Sequence, residues 1–239
     1  MAPEMNQFDL TIINFLNRFS CHSWTFDNTL EFISENHLIK GAVLISILWW
    51  GWFRLNKNQL CIRIHVISTI LGCFLAMAIA RSLVVLLPFR PRPLHNEGLN
   101  MLLPYGMKPS DLEGASSLPS DHAVLFYALS AGMFFISGRT GVLAIVYTTL
   151  FIAFPRVYLG LHYPTDILLG AAIGIAICLF CNLTVINEKV SRPILGWSDS
   201  KPELFYPVFF LISYQIADLF ENSRDLFGFV YTTLRTIIT

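Results

Sequence analysis

Apolar positions along this 239-residue chain fall into long blocks separated by short polar breaks. A helix needs about 20 mostly apolar residues to cross the hydrocarbon core of a bilayer. On that measure residues 38–54, 62–87, 121–137, 141–158, 164–187 and 203–220 predict six transmembrane helices. The flanks follow a different rule. Phe8, Leu10, Ile12, Ile13, Phe15, Leu16 and Phe19 form an apolar stripe broken by Asp9, Asn14, Asn17 and Arg18, the pattern of a helix lying in the membrane interface. Residues 221–239 repeat it, with Leu226, Phe227, Phe229, Val230, Leu234 and Ile237 as the oily side. The expected fold is all-α: a single membrane-embedded domain over 1–239, with an interfacial segment 1–36, a six-helix core 38–220 and an interfacial segment 221–239.

Punctuation supports these boundaries. Trp49-Trp50-Gly51-Trp52 closes the first span with the aromatic residues that favour the headgroup region. Pro88 stops the second, and the loop that follows reaches Pro119, too long for a mere connector. Its apolar patch, Met101 to Tyr105, is expected to rest on lipid or to meet a substrate. Ser120 reads as the N-cap of the third span with Asp121 in its first turn, and Pro164 as the first residue of the fifth. The N-terminus lacks a basic stretch followed by an apolar run and a small-residue cleavage site, so the first span is expected to act as the insertion signal.

Composition agrees: 54% of residues are hydrophobic, 13% are charged and the formal net charge is zero, so no global field recruits nucleic acid. Cys178 and Cys181 lie in an apolar run, where packing explains them. Charge position matters more than charge balance. Arg54, Lys57, Arg63, Arg139, Lys189, Arg192 and Lys201 fall on one side; Arg18, Lys40, Lys108, Arg224 and Arg235 fall on the other. Basic residues accumulate in cytoplasmic loops. The first side is therefore expected inside a bacterial-type inner membrane, and the long loop faces the periplasm or exterior.

That outward edge gathers the reactive residues. If Pro164 starts a helix, Asp166 in its third position turns back toward His162, where a carboxylate bonded to one ring nitrogen leaves the other free to attack. Arg156 offers a planar fork of donors to phosphate oxygens. His122, in the first turn of a helix whose unpaired N–H groups from Ser120 onward hold anions, is placed to protonate a leaving oxygen. Arg90 and Arg92 complete a cationic ring, and Arg81, costly within a span, must face a polar pocket. Phosphoryl transfer needs positioning and charge neutralisation above all. The expectation is catalysis by His162, His122 and Asp166, with phosphate held by Arg92, Arg90, Arg156, Ser120, Asp121 and Arg81, and with neither metal nor cofactor.

The ordered blocks Arg90-Pro91-Arg92-Pro93, Pro119-Ser120-Asp121-His122 and Arg156-x5-His162-x3-Asp166 resemble the three-part signature of the type 2 phosphatidic acid phosphatase superfamily, over roughly residues 81–166. The resemblance implies a helical bundle and a metal-independent phosphatase with a phosphohistidine on His162 and His122 as general acid. Two positions depart from the pattern. Its lysine seven residues before the motif arginine is Val85 here if that arginine is Arg92 and Leu83 if it is Arg90, with Arg81 eleven residues before Arg92 on nearly the same face one turn farther back, and its usual glycine is Asp121. The expected substrate is a lipid phosphate or diphosphate, an isoprenyl carrier such as undecaprenyl diphosphate first, with phosphatidylglycerol phosphate, phosphatidic acid and lipid A phosphates as rivals. Transfer to an acceptor other than water, or a lipid-binding or transport protein with an inactive site, are the alternative readings.

Overall fold

The computed structural model describes residues 6–238, so residues 1–5 and 239 of the expected terminal segments lie outside the described residues. All the regular structure is helical, with no strand among the described residues. Two short helices, α1 (Gln7–Asn17) and α2 (Trp24–Glu35), occupy the N-terminal segment that had been read as one amphipathic stretch. They are followed by α3 (Leu38–Phe53), α4 (Gln59–Leu86), α5 (Asp121–Phe135), α6 (Gly138–Tyr158) and α7 (Pro164–Cys181). The chain closes with α8 over 184–200, α9 (Pro202–Ala217) and α10 (Glu221–Ile238).

The six expected spans are not all reproduced. Among the described residues only α4, α6 and α7 are long and apolar enough to cross a membrane by length and composition, or four spans if α9 and α10, bent by 93°, count as one. Helices α3 and α5 are apolar but shorter, at 10–17 residues. For α5 the reason lies in its surroundings. Every residue from His122 to Gly132 is buried, packed against α4, α6 and α7, so its ends meet protein where a peripheral span would meet lipid. An apolar pattern all round a helix, with no polar face, marks this central position. The fifth span ends early because Asn182 and Leu183 break the helix, and α8 continues where a longer span was expected.

Close approach of α5 and α7 sets the geometry of the bundle. A Cβ on Gly174 would lie 2.1 Å from the Val124 carbonyl oxygen. Small residues let helices meet at backbone distance where lipid offers no hydrophobic drive for association. At the opposite end α3 and α9 lock through aromatic contacts, with Trp52 and Phe209 ring centroids 4.9 Å apart and the Trp52 indole N–H donating to the Tyr206 hydroxyl at 3.2 Å. The same end holds a buried polar knot in which the Ser68 hydroxyl meets Ser191 Oγ at 2.6 Å and Asn187 Oδ1 at 2.5 Å. Within α6 a wide turn over Thr148–Ala153 precedes Pro155, which has no N–H to continue the regular ladder.

At the other end α1, α2 and the loop between α4 and α5 form a roof. Asn17 exchanges two hydrogen bonds with the backbone of Leu102, at 2.7 and 3.0 Å. Buried Asp27 accepts from the Tyr105 and Cys21 amides and from the Tyr158 hydroxyl. The Met101–Tyr105 patch is thus tied to the N-terminal helices. The polar residues that interrupt the α1 stripe do this work: Asp9 is buried, whereas Phe8, Phe15 and Phe19 are exposed.

Candidate active site

Beneath that roof lies a cavity of about 700 Å³. Arg81, Arg92, Asp121, His122, Arg156 and His162 line it together, with Glu31, Glu35 and Asp111 on the facing walls. Separate elements thus deliver side chains to one space: α2, the end of α4, the long loop, the first turn of α5, the end of α6, and the turn that joins α6 to α7. A sharp turn makes the last of these possible. Gly160 has φ +72°, and a Cβ there would strike the Met101 thioether at 2.7 Å, so the chain reverses where a side chain would be strained.

His162 is 4% exposed. Its Nδ1–H donates to the Ser117 carbonyl at 2.8 Å, and its Nε2 faces an Arg92 NH1 donor at 3.3 Å. An arginine only donates, so Nε2 carries the lone pair. The partner of the ring differs from the expected one. Asp166 Oδ2 is 3.9 Å from Nδ1, beyond hydrogen-bond reach; it instead accepts from the Tyr163 amide at 2.8 Å, and Oδ1 is taken by Arg90. The carboxylate at the third helical position does turn back, as expected, but the N-terminal backbone claims it before the imidazole does. Burial holds the His162 imidazole below its ordinary pKa; the Asp166 charge opposes this and Arg92 adds to it.

Arg92 is planted by carbonyls, with Nε donating to Ala115 at 3.2 Å and NH1 to Leu161 at 2.7 Å. Burial, then the Arg156 charge, lowers its pKa to about 10, which leaves it cationic at neutral pH. Arg156 donates from NH2 to His122 Nε2 at 2.8 Å and to the Ser34 carbonyl at 2.9 Å. By the same donor rule the neutral His122 ring carries its proton on Nδ1. The Arg156 Nε is buried without a hydrogen-bond partner, an unmet donor in a cavity wall.

Arg81 and Asp121 pair at 2.5 Å. Ser120 is fully buried and caps α5, its hydroxyl accepting from the Ala123 amide at 3.4 Å. Arg90, expected in the cationic ring, lies outside the cavity: it donates to Asp9 at 2.8 Å, to Thr165 at 3.0 Å and to Asp166, and its guanidinium stacks on Tyr163 at 4.0 Å. With two carboxylates and an aromatic face around it, this arginine braces the start of α7.

Sequence reasoning missed the Ser117 carbonyl, which no side-chain pattern announces, and Asp9, read as an interruption in an oily stripe. It also placed Lys40 among surface charges. Lys40 is 2% exposed within α3, in electrostatic reach of Arg156, Glu221, Glu35 and Asp218.

Undecaprenyl-diphosphatase BcrC of Bacillus subtilis (strain 168) is 26% identical over 167 residues, covering 70% of this chain and 78% of that protein. Bacitracin transport permease protein BcrC of Bacillus licheniformis is 24% identical over 193 residues, covering 79% and 88%. The crystal structure of Aquifex aeolicus LpxE shares the fold, with a TM-score of 0.51 and 20% identity over 76% of this chain and 98% of that one. A family model described as the PAP2 superfamily matches residues 71–189, which hold Arg92, His122, Arg156 and His162. The chain belongs to the PAP2 superfamily.

Proposed function

We propose that this protein is an integral membrane phosphatase that removes the terminal phosphate of a lipid diphosphate, an isoprenyl diphosphate first, at the outer face of a bacterial inner membrane. The observation that carries the reading is the lone pair of His162 Nε2, aimed at Arg92 in the same cavity as the His122–Arg156 pair. His162 Nε2 attacks phosphorus and the bond to the leaving lipid phosphate oxygen breaks. That oxygen takes a proton from His122. Arg156 donates to His122 Nε2; drawn onto the phosphate, it would leave that nitrogen free to hold the transferable proton. Water then attacks the phosphohistidine with His122 as base, the N–P bond breaks, and His162 is regenerated. Arg92 and Arg156 neutralise the charge on the transferring group, so turnover continues in chelator.

Six crossings remain the proposed layout. In support, Gly41 at the start of α3 meets Ala217 at the end of α9, and Trp52 at the end of α3 meets Phe205 near the start of α9, so the two run between the same ends of the bundle. The exposed aromatic faces of α1 and α10 are proposed to lie in the interface. The test is phosphate release by purified protein, in detergent with chelator, from isoprenyl diphosphate, isoprenyl monophosphate, phosphatidic acid and phosphatidylglycerol phosphate. Release that is fastest with the diphosphate and absent in His162→Ala supports the reading. Full activity in His162→Ala overturns the nucleophile, loss in chelator overturns the metal-free step, and no release from any lipid favours the transport reading suggested by the permease name of one relative.

A further inference from the structure

Helix α1 precedes the segment that matches the family, yet it reaches into the site. Asp9 is 1% exposed. Its Oδ1 accepts the Thr165 amide at 2.9 Å, and its Oδ2 accepts the Thr165 hydroxyl at 2.6 Å and Arg90 NH2 at 2.8 Å. The other side of Arg90 holds Asp166, which is fully buried. Two buried carboxylates therefore share one guanidinium. The cluster carries a net charge of about −1, because a buried ion pair of one arginine can neutralise only one carboxylate.

That surplus charge has a use. The Asp166 carboxylate sits 3.9 Å from His162 Nδ1, whereas the other charged groups facing the ring, Arg92 from the long loop and Arg156 from α6, are cationic, with neutral His122 beyond them. Attack by Nε2 leaves positive charge on the imidazole. Without an anionic counterweight, two guanidiniums would oppose that charge.

We propose that Asp9 is a positioning residue of the catalytic centre, clamping Arg90 and the first turn of α7 so that Asp166 presents a net negative charge to His162. The proposal rests on His162 being the nucleophile. Asp9→Asn keeps the size and the backbone acceptor but removes the charge. It should lower kcat about tenfold or more while KM changes by less than about twofold, the signature of an interaction made mainly in the transition state. It should also move the acid limb of the pH–rate profile to lower pH, since a ring that loses a nearby anion binds its proton less tightly. Thr165→Val removes a hydrogen bond of the same cluster without altering charge and should leave that limb in place. Asp9→Asn combined with Arg90→Gln restores the net charge and should return the limb toward wild type; if Asp9→Asn is not recovered folded, Arg90→Gln alone, which leaves both carboxylates without their counter-charge, should move the limb to higher pH, and an unmoved limb there overturns the proposal.

A readout independent of substrate separates this idea from the functional reading. NMR titration of 15N-labelled histidine in the substrate-free protein, with His162 assigned from His162→Gln, should show the same downward shift in Asp9→Asn. A wild-type protein inactive on every lipid phosphate, but with the titration shifted as described, sinks the proposed function and not the cluster. An active wild type whose variant has an unmoved acid limb and an unmoved His162 titration overturns the role of Asp9.

Discussion

His162 and His122 are held by different partners. The first has its proton fixed on Nδ1 by the Ser117 carbonyl and its lone pair toward Arg92; the second has Nε2 covered by Arg156. Because burial depresses the His162 pKa, its neutral form, the proposed nucleophile, persists as pH falls through the ordinary histidine range near 6.5. The kcat/KM profile should therefore hold through that range and break only below it; a break above it would contradict the depressed value. His122→Gln should retain substrate binding and lose about 10²- to 10⁴-fold in kcat, the usual share of a general acid. Arg81 and Asp121 make a second, asymmetric test. With the partner removed, Arg81→Ala leaves a carboxylate facing phosphate and should raise KM, whereas Asp121→Asn leaves a cation there and should lower it. Each change should be about three- to tenfold, the scale of one partly screened charge pair. Equal directions in the two variants would show that the pair does not face substrate. Thermal stability should shift little, because the arginine side chain is 44% exposed.

At the scale of elements, what was legible in the sequence depended on period and punctuation. Pro164 and Ser120 mark the helix starts that place Asp166 and His122, and the motif spacing picks out His122, His162, Arg92 and Arg156, which line one cavity. Arg90 was misplaced because Arg-Pro-Arg-Pro offers two arginines in extended backbone, and only the tertiary neighbours Asp9 and Asp166 decide which one faces the cavity. The α1 stripe misled for a related reason: polarity on an amphipathic helix can face water or a loop, and Asp9 and Asn17 face protein. The crossing of α5 and α7 carries the element-scale prediction. Gly174→Ala would push α7 from the Val124 carbonyl, and since α5 carries His122 while α7 begins beside His162, both rings would change their separation. A displacement of about 1 Å can cost about 100-fold, so activity should collapse even if the protein still accumulates in the membrane. Gly196→Ala, where an added Cβ meets nothing within 4 Å, should leave phosphate release unchanged. Equal activities in the two variants would show that helix separation does not set the geometry of the site.

At the scale of the whole molecule the chain has two chemically distinct ends. The α3–α4 turn with Arg54, Lys57 and Arg63, the α5–α6 turn with Arg139, and α8 with Lys189 and Arg192 share one end, as the contact of Gly51 with Ile136 and the Ser68–Asn187 bond require. The candidate active-site cavity, the roof of α1 and α2 and the start of α10 share the other. If basic loops stay inside, the cavity opens outward. Among the described residues three helices satisfy length and composition by themselves, and thiol accessibility tests the orientation directly. Cys61 is an exposed free cysteine at the start of α4, while Cys73, Cys178 and Cys181 are buried. In a Cys21→Ser background, a membrane-impermeant maleimide should leave Cys61 unlabelled in spheroplasts and modify it in inside-out vesicles. Ser110→Cys, on the exposed part of the long loop, should show the reverse in a background that also carries Cys61→Ser. Labelling of Cys61 from outside, with Ser110→Cys protected, would place the cavity in the cytoplasm. An isoprenyl diphosphate would then be hydrolysed on the inner leaflet, and the outward-facing reading would fall while the chemistry of His162 stood.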